Sequence, residues 1–224
     1  MNSTRLMQRA AAGAVAGAAA VLLLPGAAGA ATERAHWSFE DTGSTAADSS
    51  GNGNTGTLKS LTTGVAGSTG KAFEWSSKPS YVTVPDTAVL DPGTSSYSVS
   101  LKVRFTVLPS SSVGDYDLVR KGLSTTSGGS WKVEIVKSGQ ALCNFRGSGG
   151  QGQLTKGPKL NDGAWHTITC ARTSSKVTLT VDGTSWSTSK STGKISNSSA
   201  ILIGAKDTSG HDQFTGVLDE VVIS

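Results

Sequence analysis

Apolar residues in this chain recur with period two, in many short runs. The clearest covers residues 99–107: Val99, Leu101, Val103, Phe105 and Val107 point one way, and Ser100, Lys102, Arg104 and Thr106 the other. Side chains alternate across a strand, so this run predicts a strand with one buried and one wet face. Val177, Leu179 and Val181 alternate with Thr178 and Thr180 and run into Asp182-Gly183, a hairpin-turn pair. Trp131, Val133 and Ile135 alternate with Lys132 and Glu134. Further strands are predicted at 37–39, 72–75, 81–84, 117–120, 141–145, 165–172, 200–203 and 217–223. Clusters of Gly, Ser, Asn and Asp separate them, as expected of turns. Beyond residue 30 no segment keeps a helical period for three turns. The pattern predicts an all-β chain of two antiparallel sheets packed face to face.

Residues 1–30 read as a secretory signal peptide. Arg5 and Arg9 supply the positive start, residues 10–24 are an apolar stretch, and Ala28-Gly29-Ala30 is a small-residue cleavage site. After cleavage, residues 31–224 form one domain with no room for a second, and no run of eighteen apolar residues remains to enter a membrane. Removing Arg5 and Arg9 and no acid lowers the formal charge of +4 to +2. So small a charge, spread along the chain, does not predict nucleic-acid binding, which wants a clustered basic face. Secretion places Cys143 and Cys170, the only two cysteines, in an oxidising compartment. Each alternates with apolar neighbours, so a buried disulfide between them is expected, and the chain is expected to act as a monomer.

Several segments together carry a family resemblance. Trp37-Ser38-Phe39-Glu40 and the loop from Ala47 to Leu58 are similar to the entry strand and loop of a laminin-G-like, concanavalin A-like jelly roll. Gly70-Lys71-Ala72-Phe73, Tyr81 to Asp86 and Ser98 to Val103 resemble its next elements. Asp162-Gly163-Ala164-Trp165-His166 with Val181-Asp182-Gly183 resembles its central hairpin. Ile203-Gly204 and Phe214 to Val221 resemble its closing strands. The resemblance implies a two-sheet jelly roll, but this fold hosts lectins, adhesion domains, glycosidases and polysaccharide lyases alike.

The residues discriminate among these chemistries. Gly51-Asn52-Gly53-Asn54-Thr55-Gly56 spells a dinucleotide fingerprint, but no buried strand feeds it and no helix receives it. Asp48, Asn52 and Asn54 in the same loop offer hard oxygen donors for calcium, or else a solvated turn. The family resemblance implies that a structural calcium would be shared with Asp219. A glycosidase needs two carboxylates on one face roughly 5 to 9.5 Å apart. The Glu-x-Asp-x-x-Glu string of the fold's glucanases is absent, Asp219 and Glu220 are adjacent and face apart, and Glu134 has no acid two residues away. A lyase needs a cation for a uronate and a Tyr or His to take the proton. Arg104, Lys102, Lys132, Tyr97, Tyr116 and His211 supply those types, with none of the alginate-lyase strings. His166 is in step with Ile168 and Cys170 and reads as a satisfied core residue. His36 points to nothing, and His211 stands in an exposed loop.

Of five tryptophans, alternation buries most. Trp186, flanked by Ser and Thr, is the candidate stacking platform for a sugar. The expectation is a secreted single-domain module that binds an extracellular polysaccharide or cell-surface glycan through Lys102, Arg104, Lys132 and Trp186, without chemistry and without an organic cofactor. One alternative is a small polysaccharide lyase on the concave sheet using Arg104, Lys132 and His211. Another is an adhesion domain that binds protein.

Overall fold

The computed structural model describes residue 1, residues 32–76 and residues 78–224. The proposed signal peptide therefore falls outside the described residues beyond Met1. The first strands are β1 (Ala35–Trp37), β2 (Thr45–Ala46), β3 (Gly56–Lys59), β4 (Thr62–Ala66), β5 (Lys71–Trp75) and β6 (Tyr81–Val84). A single 3₁₀ turn, Ala88–Leu90, leads to β7 (Tyr97–Arg104), β8 (Tyr116–Lys121), β9 (Ser130–Ile135) and β10 (Ala141–Gly147). Then come β11 (Gly150–Lys156), β12 (His166–Arg172), β13 (Lys176–Val181), β14 (Thr184–Ser189), β15 (Ile201–Ile203) and β16 (Gly216–Ile223).

They form two antiparallel sheets of eight strands. The first runs β14-β13-β12-β7-β16-β5-β4, with β1 beside β16; the second runs β11-β10-β9-β8-β15-β6-β3-β2. The inner faces meet in one core. Val99, Leu101 and Val103 from β7 face Trp131, Val133 and Ile135 from β9, all at most 1% exposed. Trp37 and Trp75 are fully buried as well, with Phe39 stacked on Phe73 at 4.5 Å between ring centroids. Each such side chain contributes about 1.5–3 kcal/mol through burial.

The Cys143–Cys170 disulfide is present, with Cα atoms 5.3 Å apart, and joins β10 to β12 across the two sheets. Asp182 and Gly183 have φ of 47° and 81°, the two positive angles of a type I′ turn, and Val181 pairs with Thr184 around them. Strand β7 stops at Arg104, earlier than its alternation predicts. Phe105 stays buried, but Val107, expected in the core, is 57% exposed, two residues before Pro109.

Candidate functional site

The second sheet turns one face to the core and one outward, and a bulge decides what the outward face carries. The β8–β9 register shifts between Asp117 and Val119, leaving Leu118 as an extra residue. Strict alternation would send Asp117 and Arg120 to opposite faces, since they are three apart. The bulge absorbs one residue, so both point outward, and Arg120 Nη1 donates to Asp117 Oδ2 at 2.6 Å. Pairing then lines up a row. Arg120 lies opposite Lys132, Lys132 opposite Asn144, and Asn144 opposite Gln153, across β8, β9, β10 and β11. The next row holds Asp117 opposite Glu134.

This face forms the floor of a cleft of about 240 Å³, with Arg146 and Gln151 at one side and Lys206 with Asp212 at the other. Asn144 Nδ2 and Gln151 Nε2 both donate to Gln153 Oε1, at 2.7 and 2.8 Å. These bonds leave the Gln153 amide group and the oxygens of Asn144 and Gln151 free to face a ligand. Lys206 is ion-paired with Asp212 at 3.0 Å, and Lys132 donates to Glu134. In that next row Asp117 and Glu134 are 0% and 1% exposed. The segment after β15 runs alongside Asp117, whose backbone N–H donates to the Asp212 carbonyl. Burial pushes the Asp117 carboxyl up to about 8; Arg120 and Lys132 oppose the rise, and Glu134 adds to it.

The sequence matches a laminin-G family model described as the concanavalin A-like lectin/glucanases superfamily, over residues 76–224. The chain belongs to that family. No curated protein matches the sequence. Among solved structures, this laminin-G-type chain is similar to the binding domain of Paraclostridial Mosquitocidal Protein 1, at TM-score 0.64, 20% identity and 79% coverage of the chain. It is similar to the botulinum neurotoxin serotype D binding domain at TM-score 0.64, 13% identity and 86% coverage. It is also similar to domain 4 of AbnA, an extracellular arabinanase from Geobacillus stearothermophilus solved with arabinotriose, at TM-score 0.63, 19% identity and 86% coverage. The chain spans 45% and 47% of the two toxin chains and 91% of the arabinanase domain. At these identities the likeness establishes the fold.

In this laminin-G-type domain the predicted site residues do not come together. Lys102 and Arg104 lie on β7 in the first sheet and Lys132 on β9 in the second, so they cannot share a ligand on one face. Arg104 stacks over Trp165 at 4.9 Å and donates to the Ala66 carbonyl. Trp186 is half-buried, packed against the core close beside Gly157, and does not line the cleft. His211 is exposed, with its Nδ1 2.7 Å from Asp207. Tyr97 is buried and donates to the Leu90 carbonyl at 2.8 Å, and Tyr116 is 3% exposed. Of the predicted set only Lys132 lines the cleft.

Among the expected calcium donors, Asp48 is already taken up by protein hydrogen-bond donors. Asp48 Oδ1 accepts from the backbone N–H of His36 and Ser50, both at 3.0 Å, and Oδ2 accepts from that of Asn54 at 2.8 Å. Those protons occupy the lone pairs a metal would need. Burial raises the Asp48 carboxyl, but these bonds and that from the Ser50 hydroxyl outweigh it, so the net displacement is downward. Asn52 donates its amide to the carbonyls of Glu33 and Arg34, and Asn54 Oδ1 accepts from Thr87. Asp219 turns instead to Ser68 and Thr69. Among the described residues no group of three or more His, Cys, Asp or Glu could hold a metal.

Arg120, Asn144, Arg146 and Gln153 escape sequence reasoning because their convergence depends on strand register. The one signal in the sequence is that Asn144 and Arg146 alternate with the apolar Cys143 and Phe145, which marks a polar outer face without saying what it meets.

Proposed function

We propose that the protein is a secreted glycan-binding module whose ligand lies on the outer face of the second sheet. The observation that carries this reading is the row Arg120–Lys132–Asn144–Gln153, in register across four adjacent strands and lining one cleft. A polyhydroxylated ligand needs both donors and acceptors at fixed spacing, and a rigid sheet supplies them with little ordering cost. Membership of the lectin/glucanase superfamily and the likeness to an arabinanase domain crystallised with arabinotriose support the same reading. So does the disulfide, which suits an extracellular protein. The cleft lining offers no tyrosine or histidine to take a proton, which favours binding over lyase chemistry. No aromatic ring lines it either, so affinity rests on hydrogen bonds and charge.

Isothermal titration of the mature protein against a panel of plant, bacterial and animal oligosaccharides tests the proposal. Binding to at least one glycan is expected, and Asn144→Ala or Gln153→Ala should each weaken it by about fivefold to thirtyfold, or ~1–2 kcal/mol. Heat from no glycan, beside capture of a surface protein, would favour the adhesion reading instead.

A further inference from the structure

Two buried carboxylates beside the cleft floor each leave one oxygen without a hydrogen-bond partner: Oδ1 of Asp117 and Oε2 of Glu134. The residues are direct cross-strand partners on one face. A buried acceptor with no donor is costly, and two adjacent buried carboxylates cannot both ionise readily. A proton on Asp117 Oδ1 directed at Glu134 Oε2 would resolve both problems. The remaining oxygens are held by Arg120 and Lys132. With that proton in place, Arg120 and Lys132 face a single negative charge and the quartet carries a net positive one. Arg146, on the neighbouring strand, has no carboxylate partner among the described residues. Its Nη2 donates to the Thr126 carbonyl at 2.8 Å, while its Nε is buried and bonded to nothing. Lys206 is compensated by Asp212. The cleft is therefore cationic at its centre, and Lys132 and Arg146 are diagonal neighbours on β9 and β10.

Resting on the glycan-binding reading above, we propose that the cleft is selective for an acidic glycan, whose carboxylate or sulfate group seats between Arg146 and Lys132 while its hydroxyls meet Asn144 and Gln153. An unpaired guanidinium is the natural partner of such an oxyanion. The Asp117–Glu134 pair maintains the charge that draws it in. Asp117 faces Arg120 from its own strand, Glu134 and Lys132 from β9, and the Asp212 backbone from the segment after β15. Burial pushes the Asp117 carboxyl up to about 8, so its ionisation at alkaline pH adds a negative charge beside the ligand and weakens anion binding.

The test is calorimetry on the mature protein with three probes: oligogalacturonate, a sulfated heparin-type oligosaccharide and a neutral oligogalactan. The acidic probes separate carboxylate from sulfate recognition. At least one should bind about tenfold more tightly than the neutral probe, and this advantage should shrink as salt rises. Arg146→Gln should remove most of it, and Lys132→Gln gives a second reading should the first variant fold poorly. Wild-type affinity for the acidic probe should fall between pH 7 and pH 9. Asp117→Asn, which reproduces the protonated carboxyl in shape and bonding, should abolish that fall. Equal, salt-independent binding of neutral and acidic probes would overturn this selectivity while leaving the glycan-binding reading intact. Acidic-probe binding indifferent to both cation variants would overturn the site. Failure of every glycan, here and in the wider panel, would overturn the glycan-binding reading itself.

Discussion

Arg172 is 2% exposed and has no carboxylate partner among the described residues. Its guanidinium donates to the carbonyls of Gly93, Ser95 and Gly193 and to the Thr192 hydroxyl, tying two loops together at one end of the sandwich. Burial pulls its pKa down from the usual arginine value, although the nearby Tyr97 opposes the fall. A lysine has three donors and no planar fork, so Arg172→Lys should destabilise the protein by about 1–3 kcal/mol. The urea midpoint measures this, and an unmoved midpoint would contradict it. His166, expected in the core, instead bridges two carboxylates, with Nδ1 2.7 Å from Asp182 and Nε2 3.0 Å from Asp162. Burial lowers its pKa, but the two acids outweigh that and leave it raised. A raised histidine stabilises fully below its unfolded value of about 6.5 and loses that contribution as pH rises through the folded value. His166→Gln should therefore flatten the loss of stability on going from pH 6 upward, as read by melting temperature against pH.

The disulfide and the bulge show what single elements determine. The bridge closes a loop with a sequence separation of 27 and pins the sheets to each other at mid-core. Chain entropy assigns it about 3.5 kcal/mol. Replacing both cysteines by alanine should cost most of that in a denaturant titration, with the fold retained; no cost would contradict the inter-sheet role. The Asp48 loop supports a complementary expectation. Its carboxylate is already saturated by N–H donors, so chelator and added calcium should both leave the melting temperature unchanged. A calcium-dependent rise would show that the loop rearranges to accept the ion. The strands were legible where alternation is clean: β6 matches its predicted limits, and β5, β13 and β16 differ by one residue at one end. Strands β4, β11 and β14, made largely of Thr, Ser, Gly and Gln, carry too little apolar contrast to be read. The candidate site was hidden for a different reason. Glu134 lacks an acid two residues away, but its neighbour is Asp117 on another strand, and only the pairing register and the Leu118 bulge reveal that.

At the scale of the whole molecule, the two outer faces differ in kind. The first sheet presents Ser and Thr with Lys102 and Arg104, the latter stacked over Trp165. The second presents a recessed set of amides and cations beside buried carboxylates. A fold that buries its apolar residues between the sheets has no structural need for Arg120, Lys132, Asn144, Arg146 and Gln153 to converge outside, and that convergence is the argument for function. Mapping the bound ligand tests this most directly. Amide chemical-shift perturbation of the mature, isotope-labelled protein, titrated with the best oligosaccharide from the panel, should concentrate on Arg120, Lys132, Asn144 and Gln153. Perturbations centred on β7, β12 and β13, with the β8–β11 face silent, would contradict it.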